Sequence, residues 1–224
     1  MEREYYEAYD DRYSQVHAKG LRWFSNTPSR IVGEILEDFS VPAAAKLLEI
    51  GCGEGRDAFF LLERGWDLLA TDIAPAAIGF CRAHAPQWAK RFRVLDCIRE
   101  ELEERFDFIY GVAVLHMLVR EKDRRGFYRF IARQLTEEGI ALICTMGDGT
   151  FEICSDIRNA FALQRRMHEQ TGQAMLVAGT SCRVVRWDTF LDELEQNGLS
   201  VLRSGLTSVE PDFPEMMYAV VKRR

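Results

Sequence analysis

From Ala45 onward, short apolar runs alternate with stretches whose apolar residues recur at helical spacing. That alternation predicts a parallel sheet covered by helices on both faces. Lys46 to Ile50 predicts a first strand that stops at Gly51, and Arg56 to Arg64 a helix closed by Gly65, glycine being favoured just past a helix end. Trp66 to Thr71 predicts a second strand, and Pro75, suited to the first turn of a helix, opens a stretch running to His84. Phe92 to Leu95, Phe106 to Val112 and Ile140 to Thr145 complete five strands, and Asp123 to Leu135 is a helix with Phe127, Phe130, Ile131 and Leu135 on one face.

After the fifth strand the rhythm breaks. Phe151 to Gln170 predicts a helix, followed by a segment rich in Gly, Thr, Ser and Cys, and Asp188 to Gln196 resumes as a helix ending at Asn197-Gly198. Leu199 to Leu202 and Met217 to Lys222 predict two closing strands joined by a proline-containing loop, which suits an antiparallel hairpin at the sheet end. Upstream, Pro28 to Phe39 predicts a helix with Thr27 as N-cap and Ile31, Ile35 and Phe39 at helical spacing. The expected fold class is α/β: one Rossmann-like, doubly wound sheet of about seven strands with its last strand antiparallel. A single domain spans 1–224, divided into an amino-terminal arm and helix (1–44), a core (45–145), an insertion (146–186) and a closing helix and hairpin (187–224).

Composition narrows the partners. In 224 residues, 29 Lys and Arg face 35 Asp and Glu for a net charge of −6, so no global positive field draws the chain to nucleic acid. The acidic start Met1-Glu2-Arg3-Glu4 argues against a secretory signal, and no run reaches the length of a membrane span, so a soluble cytoplasmic protein is expected. Six cysteines are scattered without C-x-x-C or a histidine at ligand spacing, which predicts small buried residues and no metal site.

The sharpest chemistry lies in Leu47-Leu48-Glu49-Ile50-Gly51-Cys52-Gly53-Glu54-Gly55-Arg56-Asp57, a strand running into a glycine-rich turn that opens a helix. Glycines permit positive φ and let the backbone touch a ligand at a helix amino end. The dinucleotide fingerprint G-x-G-x-x-G needs its third glycine at position 56, where Arg56 stands; here it falls at Gly55. Glu49, Glu54 and Asp57 surround the turn with carboxylates, which suits a zwitterionic sulfonium with an amino-acid tail better than a diphosphate. Asp72 closes the second strand 21 residues after Gly51, where an acceptor can take ribose hydroxyls. Asp96 and Cys97 close the third strand, placed to meet an adenine edge.

These residues resemble the class I S-adenosylmethionine-dependent methyltransferases over roughly residues 45 to 145: the G-x-G-x-G loop, the acidic ends of strands two and three, and Phe106-Asp107-Phe108-Ile109 followed by Val112-Ala113-Val114-Leu115-His116. The Gly-Arg-Asp turn, with Tyr9 to Tyr13 and Trp23 to Ser29 upstream, is similar to the small-molecule branch that includes tellurite-resistance and thiopurine methyltransferases. The resemblance implies S-adenosylmethionine as cofactor and a small-molecule methyl acceptor. It places Glu49, Gly51, Cys52 and Gly53 at the methionine end, Asp72 and Ile73 at the ribose, Asp96 and Cys97 at the adenine, and Val112 beside the sulfonium.

Methyl transfer from a sulfonium depends mainly on alignment, so no catalytic dyad is required. His116, just beyond strand four at the carboxyl edge, is the first expected base or orienting group, and Asp148, in Met146-Gly147-Asp148-Gly149, occupies the next loop at that edge. Arg183 is placed to meet an anionic group of the acceptor, and the aromatic arm, Tyr5, Tyr6, Tyr9, Tyr13, Trp23 and Phe24, to close over it; Tyr9, Tyr13 and Trp23 are the expected substrate contacts. Arm and insertion together are expected to roof the site. Two other functions fit the same sheet: a nicotinamide-dependent oxidoreductase, disfavoured by Arg56, and a non-catalytic adenosylmethionine-binding protein.

Overall fold

The structure, a computed structural model, describes residues 3–23, 26–168 and 171–224. The elements run α1 (Ala8–His17), α2 (Arg30–Asp38), β1 (Lys46–Ile50), α3 (Arg56–Glu63), β2 (Asp67–Asp72), α4 (Pro75–His84), β3 (Phe92–Val94), β4 (Phe106–Val112), α5 (Glu121–Gln134), β5 (Leu135–Met146), β6 (Ile153–Cys154), β7 (Leu163–Met167), β8 (Ala174–Ala178), β9 (Arg183–Val184), α6 (Trp187–Gln196), β10 (Leu199–Val209) and β11 (Phe213–Arg223). Seven strands form one sheet in the order β10-β11-β5-β4-β1-β2-β3. The five from β5 to β3 are mutually parallel, and β11 enters antiparallel between β5 and β10.

The parallel strands are nearly continuous apolar runs because both faces are covered. One face buries Leu48, Ile109, Phe127 and Ile131 against α5, and the other buries Leu47, Phe108, Ile35 and Leu61 against α2 and α3. The chain leaves β1 in one direction across the sheet and β4 in the other, so a crevice opens between the carboxyl ends of β1 and β4, where ligands of open α/β sheets bind.

Two expectations are corrected. Phe151 to Gln170 is not a helix: its described part, 151–168, holds β6, a short helical turn at Ile157–Asn159 and β7. The cause is tertiary. Met175 and Val177 on β8 bury against Val16 of α1, and the backbone of β8 is satisfied by pairing with Leu163 to Met167. Helix α2 starts after Ser29 rather than Thr27, because the Ser29 amide and hydroxyl are drawn to Asp57 at 2.6 and 2.7 Å. The closing hairpin is also longer than the pattern indicated, eleven residues on each strand.

Candidate functional site

A cleft of about 980 Å³, counting its mouth, lies over the carboxyl ends of β4, β1, β2 and β3. It is lined by all nine residues expected around a cofactor: Glu49, Gly51, Cys52, Gly53, Asp72, Ile73, Asp96, Cys97 and Val112. Two loop glycines make the floor. Gly51 and Gly53 have φ of +72° and +52°, and a Cβ at either would stand 2.3 Å from Val114 Cγ2 or 2.7 Å from the Tyr13 hydroxyl. The loop therefore has its shape only with hydrogen at both positions.

The carboxylates around this loop divide into two kinds. Glu54 and Asp57, expected to face a ligand, are spoken for by the protein. Glu54 accepts the Trp23 amide at 2.9 Å and meets His17 Nε2 at 2.8 Å, tying the arm to the loop. Asp57 holds Ser29 and pairs with Arg56 at 3.2 Å. Glu49 is different: it is 4% exposed and its Oε2 is buried with no hydrogen-bond partner. Burial, with the charge of Asp57 nearby, pushes its carboxyl well above the ordinary range. Arg56 lines the same cleft with a buried, unpartnered Nε, while its other nitrogens reach Ser29, Asp57 and Asp212. An acceptor without a donor and a donor without an acceptor thus share one cleft.

Asp72 accepts the amides of Gly53 and Ala74, both at 2.8 Å, and burial raises its carboxyl to about 6. Asp96 accepts the Ile98 amide at 2.9 Å and the Tyr6 hydroxyl at 3.3 Å, so the arm closes that end of the cleft. Ala113, just past Val112, takes φ of +61°, a left-handed conformation that turns β4 sharply across the crevice.

A second cavity of about 1320 Å³, again with its mouth, adjoins the first; Tyr9 and Phe213 line both. Arm residues Arg12 and Trp23 and insertion residues from Ser155 to Cys182 wall this chamber, so both segments stand at the carboxyl edge. His116 lines it, 5.7 Å from the Phe213 ring, with Nδ1 buried and unpartnered. Burial and the positive charge of Arg124 lower its pKa to about 4, so the imidazole is neutral at physiological pH.

Not every expected residue joins these cavities. Asp148 lines neither: its Oδ1 accepts the amide and hydroxyl of Thr150 at 2.8 and 2.7 Å, closing a turn, which explains the Gly-Asp-Gly sequence. Arg183 faces away, its Nη1 donating to Val119 O at 3.1 Å beside the buried Arg124–Glu193 pair. Tyr9 and Tyr13 line the cleft and Tyr9 and Trp23 the chamber, whereas Tyr5 is turned inward, donating to Asp123 at 2.9 Å. Phe24 lies outside the described residues. Among the described residues no three His, Cys, Asp or Glu side chains gather as a metal site, and no helix is long and apolar enough to cross a membrane.

Sequence reading passed over Arg12, Asp212 and Phe213. Arg12 carried a signal: it shares a helical face with Tyr9, Tyr13 and Val16, an odd place for a cation. Asp212 and Phe213 arrive from the β10–β11 turn at one edge of the sheet, and no local pattern places that turn beside the central crevice.

Residues 48–141 match a family profile described as a methyltransferase domain. Over 86 residues, 38% of this chain, it is 35% identical to hemagglutinin 1 of Eikenella corrodens, covering 29% of that protein. It is 26% identical over 94 residues, 41% of this chain, to the probable S-adenosyl-L-methionine-dependent methyltransferase TehB of Haemophilus influenzae, covering 33% of it. The chain spans between a quarter and half the length of the curated relatives it matches. Among solved structures, the 1,6-didemethyltoxoflavin-N1-methyltransferase of Burkholderia thailandensis superposes with a TM-score of 0.71 over all of this chain and 91% of its own, at 17% identity. At that identity the likeness is one of fold.

Proposed function

We propose that this chain, which has the fold of the class I S-adenosylmethionine-dependent methyltransferases and carries a methyltransferase domain over residues 48–141, methylates a small-molecule acceptor. The cofactor of that family is S-adenosylmethionine, which when bound supplies a methyl group made electrophilic by its sulfonium. The observation that carries the acceptor reading is the meeting of two cavities at Tyr9 and Phe213, one over the glycine loop and one walled by arm and insertion.

The cleft fits the cofactor's polar groups. The orphaned Glu49 Oε2 suits an ammonium and the orphaned Arg56 Nε a carboxylate, so the two would hold an amino-acid tail. The bare backbone at Gly51 and Gly53 lets a ligand lie against the loop. Asp72 would take ribose hydroxyls, with Ile73 beside it, and Asp96 and Cys97 would border an adenine. Val112 would flank the reacting centre.

What remains for the protein is alignment, worth ~7–11 kcal/mol in favourable cases. Tyr9, Trp23 and Phe213 would fix the plane of the acceptor. His116, neutral and lining the chamber, would accept the hydrogen bond of a protonated nucleophile and relieve it of its proton.

Equilibrium titration of the chain with S-adenosylmethionine and adenosylhomocysteine, with NADH as the contrasting ligand, tests the cofactor reading. A methyl-release screen against metabolite pools tests the acceptor class. Binding of the adenosyl ligands and not NADH is expected; affinity for none of them, or labelling of protein or RNA alone, overturns the proposal.

A further inference from the structure

Arg12 is a buried cation to which the described residues give no anion. It is 6% exposed, and no carboxylate of the described residues pairs with it. Its Nε donates to Ala178 O at 3.1 Å, and Nη2 to Ala178 O, Gly179 O and the Thr180 hydroxyl at 2.8, 2.8 and 2.9 Å. Every partner is neutral, and Nη1 donates to none of the described residues. The guanidinium lies 5.2 Å from the Tyr9 ring centre and 4.6 Å from that of Trp23. Arg124, the other arginine so deeply buried, instead meets Glu193 at 2.6 Å. A desolvated charge without a counter-ion is costly, and proteins retain one where something else supplies the opposite charge.

The position of Arg12 says what that something is. It lines the chamber, not the cofactor cleft, and Arg166 of β7 lines the same chamber, close enough to disfavour its charge further. Among the described residues that line the chamber the one acid is Asp212, and it lies 3.4 Å from Arg56 Nη1, so its charge is already engaged on the cofactor side. With His116 neutral, an excess of positive charge faces the empty volume beside the rings of Tyr9, Trp23 and Phe213.

We propose that Arg12 and Arg166 form an anion-binding element of the acceptor chamber, and that the acceptor is a small organic anion whose carboxylate or phosphate group these side chains hold. This rests on the methyltransferase reading and deepens it. Arg183, the cation the sequence pointed to, is replaced in this role by an arginine of the arm. The anion would also complete the lock between arm and insertion, since Arg12 already bridges α1 to the end of β8.

The test is titration of the full chain, saturated with adenosylhomocysteine, with benzoate against benzamide and phenyl phosphate against phenol. Each anion is expected to bind roughly 10–100-fold more tightly than its neutral counterpart, the range of a charge-assisted pair. The better of the two anions identifies the group. Arg12→Met is expected to abolish the preference and Arg12→Lys to keep part of it. Because Arg12 also ties down backbone carbonyls, Arg166→Gln serves as the variant that leaves those bonds alone: a severalfold loss for anions, none for neutral probes, and unchanged adenosylhomocysteine affinity are expected. A chain that binds no adenosylhomocysteine overturns the underlying reading. One that binds it yet shows no anion binding at millimolar concentration, or no preference over the neutral probes, or a preference that survives Arg12→Met and Arg166→Gln, overturns the proposal alone.

Discussion

The amide of Gly53 donates to Asp72 Oδ2 at 2.8 Å, so the second glycine of the loop and the acid closing β2 are held as one unit. The price is a carboxylate kept under cover, its pKa raised by burial to about 6 from the ordinary 3.8. Between those values the unfolded chain has lost a proton that the folded chain keeps, so this group's contribution to stability falls as pH rises through the window. The shift corresponds to about 3 kcal/mol. Asp72→Asn is expected to remove that fall, measured as the difference in denaturant midpoint between variant and wild type at pH 4 and pH 7. The same variant should weaken adenosylhomocysteine binding roughly 10–100-fold if the carboxylate takes ribose hydroxyls.

His116 carries the opposite sign. Its pKa lies at about 4 against an ordinary 6.5, so from pH 4 to 6.5 the unfolded chain binds a proton that the folded chain refuses, and this contribution rises with pH. The two windows overlap and offset one another in the wild type. His116→Ala is therefore expected to tilt the stability profile downward with pH, and Asp72→Asn to tilt it upward. If His116 relieves the nucleophile of its proton, His116→Ala lowers kcat about 10²–10⁴-fold with adenosylhomocysteine affinity intact, read by methyl release at pH 7.

Glu49 makes a prediction about protons rather than rates. Burial and the charge of Asp57 push the Glu49 carboxyl well above the ordinary range, and an ammonium brought to Oε2 pulls it back toward the carboxylate. Binding of the amino-acid tail should then be coupled to proton release. Calorimetry in two buffers of different ionisation enthalpy measures this directly, and Glu49→Gln should abolish the buffer dependence.

These groups also show what the sequence could reveal. The strand-loop-helix around Gly51 to Gly55 is a local pattern, spacing points to Asp72 and Asp96 and the family resemblance to Val112, and all three line one cleft. Glu54 and Asp57 looked identical to Glu49 in the sequence, yet one carries Trp23 and His17 and the other Ser29 and Arg56. Which carboxylate stays free is decided by segments 25 to 40 residues away, and no local pattern encodes that. The hairpin β7–β8, where a helix is expected, follows the same rule, because its pairing and its burial against Val16 of α1 are set by distant segments.

The glycine loop yields a comparison with a built-in control. Gly20 and Gly51 have nearly the same φ, +69° and +72°, but a Cβ on Gly20 meets nothing within 4 Å, whereas one on Gly51 stands 2.3 Å from Val114 Cγ2. Gly20→Ala therefore reports the left-handed backbone alone, expected to cost about 1–2 kcal/mol. Gly51→Ala adds a collision with a branched side chain packed at the end of β4, a further ~1–3 kcal/mol on the scale of overpacked cores. Urea denaturation of the two variants should separate them by that difference. Only Gly51→Ala should also lose adenosylhomocysteine affinity, because relief of the clash must move either the loop or the Val112 to Val114 turn that forms the opposite wall of the cleft. Equal destabilisation of the two variants would mean that the turn after β4 yields freely, and that the crevice is not held open by contact between its walls.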